Sequence, residues 1–348
     1  MIKQAIATLI KRKNLSFEET RDVFTEIFEG KATPSQIAAF LVALRAKGEV
    51  YQEISAAASV IREKALKLKV RGNLLGIEGE EPVLDTCGTG GSGVNKFNIS
   101  SAVAFVVAAG GVKVAKHGNR AMSSGCGSAD VLETMGIRIN AASKSMEEAI
   151  KTIGIGFLYA PKYHPAFKAV SPTRKEIGIK TIFNILGPLC NPALANTHLL
   201  GVFNPDLIMT LARSLRMLGS KRAFVVYGRD LKDEISLTGP TLVASLDNKR
   251  IKQFKLTPGD FGLKKCRPKD LEAKDAQESA AIIWDVFNGK KGPHQNITAM
   301  NASACFYLLR KVKNFKDGVA LSRTLIETGK VKDKFLQLKR FLEDKDEL

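Results

Sequence analysis

The chain has 348 residues, 45% apolar and 7% aromatic, enough to bury a large core and to divide into two domains. Lysine and arginine number 53 against 35 acidic residues, and the resulting charge of +18 attracts polyanions, a small polyphosphate or a nucleic acid alike, unless it is only a solvated surface. The five cysteines are dispersed and never spaced as CxxC, which speaks against a disulfide framework or a zinc site.

The N-terminal stretch places Ile2, Ile6, Leu9 and Ile10 on one helical face. Lys3 inside it and Lys11-Arg12-Lys13 behind it reverse the charge order of a secretory signal, so a cytoplasmic location is expected. Ser16 and Glu19 form a capping-box pattern before Val23, Ile27 and Phe28, and Gly30 closes that helix. Thr33, Pro34 and Gln36 open the next, with Ile37, Phe40, Leu41 and Leu44 apolar and Gly48 as its stop. A further helix is predicted from Gln52 through Leu66, then a linker from Lys67 to Glu81.

The texture changes at Pro82. Short apolar runs at 82–85, 112–115, 155–159, 199–203 and 223–227 read as strands, alternating with helical segments that include Pro205 to Leu218. This alternation predicts an α/β region with a largely parallel sheet, its faces covered by helices centred on Ile282 and Leu321 and by a terminal one at Phe335 to Phe341. The longest apolar run, Ala102 to Val112, is shorter than the ~20 residues a membrane helix needs. The closing Lys345-Asp346-Glu347-Leu348 spells a retention address that has meaning only after entry to the secretory route, so it is read as a charged helix end.

Four segments carry chemistry. Asp85-Thr86-Cys87-Gly88-Thr89-Gly90-Gly91-Ser92-Gly93, with Asn98, Ser100 and Ser101 after it, is a strand, a glycine turn and a helix start, which together cradle an anion. A bare βα turn would look the same, and neither the Walker nor the dinucleotide spacing is present. Lys116-His117-Gly118-Asn119-Arg120 puts two cations at the carboxyl end of the next strand, followed by a second glycine-serine turn, Ser123 to Ser128. Asp233-Glu234 suits a hard divalent ion shared with phosphate oxygens, or is a surface acidic turn. His164 and Arg174 stand before a run ending Gly187-Pro188-Leu189-Cys190-Asn191-Pro192; alone they read equally as a loop histidine and a surface cation.

Together and in this order these segments closely resemble the anthranilate phosphoribosyltransferases, over nearly the whole chain. The signatures are the Asp-x-x-Gly-Thr-Gly-Gly turn, Lys116 to Arg120, Gly127 to Glu133, and Arg174 to Pro192. The resemblance implies a helical domain over residues 1–72, completed by helices from about 166–192 and hinged to a larger α/β domain at 73–348 with a mostly parallel sheet, the nucleoside phosphorylase/phosphoribosyltransferase-like fold. It implies transfer of a phosphoribosyl group from 5-phosphoribosyl 1-pyrophosphate to the amine of anthranilate in tryptophan biosynthesis, with Mg2+, in a homodimer.

By residue matching, Gly88, Gly91, Ser92, Asn98, Ser100, Ser101, Lys116 and Ser128 fall at the sugar pyrophosphate, and Gly88, Asn119, His164, Arg174 and Pro188 at anthranilate. Ser100, Asp233 and Glu234 match the metal ligands, with His117 as a possible catalytic base. Two departures stand out. The family usually has an aspartate at the place of Ser92 and Lys-Ser at the place of Gly125-Cys126, so altered magnesium dependence is expected. The rival reading is a nucleic-acid-binding relative without transferase activity; a pyrimidine nucleoside phosphorylase of the same fold would need a further C-terminal domain.

Overall fold

A computed structural model describes residues 1–70, 81–121 and 126–345. Four helices come first: α1 (Ile2–Ile10), α2 (Phe17–Phe28), α3 (Pro34–Lys47) and α4 (Tyr51–Lys64). Both expected capping boxes form. Ser16 Oγ accepts from the Glu19 amide at 3.0 Å and Glu19 Oε2 from the Ser16 amide at 2.8 Å; Thr33 and Gln36 repeat the exchange at 3.3 and 2.9 Å. Glu53, fully buried, ties the bundle by accepting from Lys47 Nζ at 2.6 Å and from the amides of Leu15 and Val50 at 2.9 Å. Removing one partner of such a pair costs about 3–5 kcal/mol.

The sheet region runs β1 (Val83–Gly88), α5 (Ile99–Ala109), β2 (Lys113–Gly118), α6 (Ser128–Thr134), α7 (Ser143–Thr152) and β3 (Ile155–Tyr159). After β3 the chain makes short helical pieces: α8 (Ala160–Tyr163), a 3₁₀ turn at Pro165–Ala169, α9 (Ser171–Ile177), α10 (Phe183–Leu186) and a 3₁₀ turn at Gly187–Leu189. It returns as β4 (Thr197–Gly201), α11 (Leu207–Met217), β5 (Arg222–Gly228), β6 (Thr241–Asp247) and β7 (Arg250–Leu256). Four helices finish it: α12 (Ala276–Phe287), α13 (Pro293–Leu308), α14 (Phe315–Glu327) and α15 (Lys330–Asp344).

The strand order is β3-β2-β1-β4-β5-β6-β7, parallel through β5 and antiparallel beyond it. Successive strands build outward from β1 in one direction, and β4 then returns to its other flank. The carboxyl end of β1 is therefore a switch point, where such sheets open a crevice. The two sheet faces feed two cores. Leu84, Leu199 and Phe224 face the core filled by α5 and α13; Cys87, Leu200 and Val225 face a core shared with α1–α4 and α11. Pieces of the 160–189 stretch pack on α2, α3 and α4.

Three features depart from the expectation. β6 and β7 were not foreseen, because β7 exposes Arg250, Lys252 and Lys255 and lacks clean alternation, as edge strands often do. α13 was missed as a helix because every residue from Ile297 to Phe306 is buried, leaving no amphipathic stripe. The start of the expected linker is docked: the Leu68 amide donates to the Pro192 carbonyl at 3.2 Å and the Lys69 amide to Glu147 Oε2 at 2.8 Å. Residues 71–80 of that linker, the turn at 122–125 with its Gly125 departure, and the final residues 346–348 lie outside the described residues. Among the described residues no helix is long and apolar enough to cross a membrane.

Candidate active site

The first turn leaves β1 at Gly88 and reaches α5 at Ile99. Gly90, Gly91 and Gly93 all have φ between 64° and 68°, a conformation in which a side chain is strained, so glycine is needed there. The turn is pinned to the neighbouring strand end: the Thr89 amide donates to the Gly201 carbonyl at 2.9 Å, and Thr89 Oγ1 accepts from the Phe203 amide at 3.1 Å. Asn98 caps α5, its Oδ1 accepting from the Ser101 amide at 3.2 Å. The Ser101 hydroxyl is shut away from solvent, so the expected donor at that position faces the interior instead.

Lys116 lies beneath this turn, 3% exposed, its Nζ donating to the Thr86 carbonyl at 2.7 Å and to Ser100 Oγ at 3.1 Å. Burial pushes its pKa down, and Asp85 and Glu234 partly offset that. Asp85 is fully buried, accepting from the His117 amide at 3.1 Å and from Asn191 Nδ2 at 2.8 Å; burial still pushes its carboxyl up to about 6. Arg120 does not face this cleft as expected. Asp130 at 3.0 Å and Glu133 at 2.7 Å hold its guanidinium at the surface. Asn119 is exposed beside it, and Ser128 begins α6 with its Oγ packed on Gly118, where a Cβ would come within 2.1 Å.

The acid pair is not a surface turn. A short bridge between Gly228 and Lys232 folds the segment back across the ends of β4 and β5. Only glycine tolerates this. A Cβ on Gly201 would lie 1.8 Å from the Asp233 carbonyl oxygen, one on Gly228 2.6 Å from that of Glu234, and one on Gly88 2.9 Å from Asp233 Oδ2. Asp233 Oδ1 accepts from Lys96 Nζ at 2.6 Å. Glu234 is buried, and burial raises its carboxyl to about 8, with Lys96 opposing the shift and Asp233 adding to it. Two adjacent carboxylate ligands at the mouth of a glycine turn suit a hard cation that completes its shell with ligand phosphate and water. Among the described residues no larger His/Cys/Asp/Glu cluster suits a metal ion.

Beyond β2 the cleft turns aromatic. His117 Nδ1 lies 3.2 Å from the Gly187 carbonyl, which fixes the proton on Nδ1 and leaves a buried Nε2 without a hydrogen-bond partner among the described residues. Ring contacts then run from His117 to His164 (5.1 Å between centroids), Phe167 (5.7 Å) and Phe183 (5.6 Å). Burial pushes His117 down to about 3 and His164 to about 4, so both are neutral at physiological pH. Arg174 Cζ lies 5.0 Å over Phe183, an arrangement worth about 0.5–2 kcal/mol. Burial alone lowers its pKa, since no carboxylate among the described residues pairs with it. Pro188 is buried in the 3₁₀ turn beside His117's partner Gly187.

The two sides are joined through Asp85–Asn191 and through Lys180 Nζ, which donates to the Gly91 carbonyl at 2.8 Å. Sequence reasoning passed over Lys96, Lys180, Asn191 and Gly201. Lys180 and Asn191 lie inside the Arg174 to Pro192 signature and Lys96 between the glycine turn and Asn98, so a search for every cation and amide in those stretches finds all three. Gly201 carries no local signal.

Comparison with known proteins bears on these features together. A glycosyl transferase family helical bundle domain matches residues 3–65, and a glycosyl transferase family a/b domain matches residues 80–332. An anthranilate phosphoribosyltransferase of Geobacter sp. (strain M21) is 48% identical over 335 residues, covering 94% of this chain and 95% of its own. One from Acetivibrio thermocellus is 45% identical, covering 98% and 96%. The crystal structure of the anthranilate phosphoribosyltransferase of Thermus thermophilus superposes with a TM-score of 0.89 at 39% identity, covering 97% of this chain and 99% of its own. That of Saccharomyces cerevisiae in complex with PRPP and Mg gives 0.88 at 26% identity, covering 99% and 98%.

Proposed function

The chain belongs to the anthranilate phosphoribosyltransferase family, and we propose that it transfers the phosphoribosyl group of 5-phosphoribosyl 1-pyrophosphate to the amine of anthranilate, releasing pyrophosphate, as a step of tryptophan biosynthesis. One observation carries the reading: an anion-cradling glycine turn with an acid pair is bonded directly to an aromatic recess that ends in an arginine with no carboxylate partner among the described residues. A sugar diphosphate matches the first half and an aromatic acid the second.

In this reading Gly88, Gly91, Ser92, Asn98, Ser100 and Ser128 surround the diphosphate, and Lys116 adds positive charge from beneath. Asp233 and Glu234, with Ser100, would hold Mg2+, which supplies charge neutralisation for the departing pyrophosphate. Arg174 takes the anthranilate carboxylate in a forked ion pair, while Phe183, His164 and Pro188 border its ring, with Gly88 and Asn119 at the mouth. That grip aims the weakly nucleophilic aryl amine at C1 of the ribose. His117 Nε2 is an acceptor beside the recess with no hydrogen-bond partner among the described residues. With its pKa held near 3 it orients the amine by hydrogen bonding and does not store the released proton.

The division into domains at 1–72 and 73–348, the first completed from about 166–192, belongs to the same proposal. So does a homodimer through the helical region, supported by the exposed Ile10 and Val42 there, and so does a cytoplasmic setting. The recessed acid pair, with Glu234 buried, and the waiting Arg174 are not what a nucleic-acid-binding surface requires. The test is decay of anthranilate fluorescence when phosphoribosyl pyrophosphate and Mg2+ are added to pure protein. A signal that persists, alongside tight single-stranded DNA binding, would overturn the reading.

A further inference from the structure

We propose that Lys96 is a resident cation of this site: its ammonium holds Asp233 in the metal-free enzyme, and a divalent ion must displace it to bind. The inference rests on the transferase reading above and deepens it. Lys96 lies in the turn before α5, and its Nζ meets oxygens from two separate loops: Asp233 Oδ1 at 2.6 Å, the Leu231 carbonyl at 3.2 Å and Ser92 Oγ at 3.4 Å. The two side chains are 10% and 13% exposed, so the pair stands largely out of water and salt screens it weakly.

A cation among three oxygens, one of them anionic, meets the same demand that a hard metal ion would meet. The other Asp233 oxygen is pressed against the end of β1, where a Cβ on Gly88 would approach it to 2.9 Å. A dication held by Asp233 and Glu234 would therefore compete with the ammonium for Oδ1 and be repelled by it. Ser92 fits this arrangement because a hydroxyl accepts from the ammonium without adding a second negative charge that would favour the metal. The flexible four-carbon stem of lysine lets the ammonium withdraw when the metal arrives.

The experiment measures Mn2+ binding alone to full-length protein by electron paramagnetic resonance of the free ion. Lys96→Met is expected to bind Mn2+ about tenfold more tightly than wild type, and Lys96→Arg to stay near wild type. Should the methionine variant fail to fold, Lys96→Gln gives the same comparison. Without metal the Lys96→Met protein should melt at lower temperature than wild type, and added Mg2+ should raise its melting point more. Equal Mn2+ affinity in wild type and Lys96→Met, with Asp233→Asn weakening both, would overturn the proposal and leave the acid pair as a metal site. Unchanged binding in Asp233→Asn would remove the acid pair itself, and the transferase reading with it.

Discussion

On the phosphate side of the cleft the charges already have partners within the protein: Lys96 with Asp233, Lys116 with the Thr86 carbonyl and Ser100, Asp85 with Asn191. Across the cleft Arg174 rests on Phe183, with no ion pair among the described residues. In the proposed reading the two halves therefore bind by different thermodynamics. A ligand on the first side exchanges one set of bonds for another, so affinity is a small difference and responds to metal and salt. A carboxylate reaching Arg174 meets a half-desolvated cation and loses little in exchange.

The contrast can be broken at several points. The largest effect is expected from Asp233→Asn with Glu234→Gln, which should lower turnover by about a thousandfold or more, measured at saturating Mg2+. Near-normal rates would mean that the exchange on the phosphate side is not what drives the reaction. Arg174→Ala should raise the KM for anthranilate about 10–100-fold and move that for the sugar pyrophosphate little. Equal shifts in both would erase the difference between the halves.

Gly201→Ala sharpens the comparison from the backbone. A methyl group 1.8 Å from the Asp233 carbonyl must push the acid segment away, so turnover should fall about tenfold and stability by about 1–3 kcal/mol. Gly259→Ala, whose nearest atom lies at 3.6 Å, is the control and should do neither. The smallest effect concerns the aromatic half. His117 and His164 are held neutral, their pKa values below the ordinary 6.5, so the folded state binds fewer protons than the unfolded one between about pH 4 and 6.5. Their contribution is fully present above 6.5 and is lost as pH falls, by about 1.4 kcal/mol per pH unit for each. A melting series from pH 7 to 5 checks this, and His164→Asn should flatten it. The rate profile between pH 6 and 8 should show no histidine inflection.

How much of this was visible in the chain alone depended on whether the signal was local. The capping boxes at Ser16 and Thr33, the glycine turn after β1 and the acid pair are local patterns, and each lies where the sequence placed it. Lys96 was hidden because its partner is 137 positions away, and Gly201 because its importance is a contact with a segment 32 residues further on. Arg120 misled for the same reason: its two carboxylates lie one helix along and claim it first. α13 was obscured by burial on all sides, which erases the period that marks most helices.

The core that α1–α4 share with α11 and one face of the sheet has a consequence for the molecule's thermal behaviour. Phe24 and Phe183 meet at 5.8 Å between ring centroids, Ser214 Oγ donates to the Tyr51 carbonyl at 3.3 Å, and Arg62 Nε donates to the Leu189 carbonyl at 2.6 Å. The leading helices thus act as a lid of oil on a surface that water would otherwise wet. Heated in a calorimeter, the chain should lose heat-absorbing structure in a single peak, because melting the bundle strips the sheet bare.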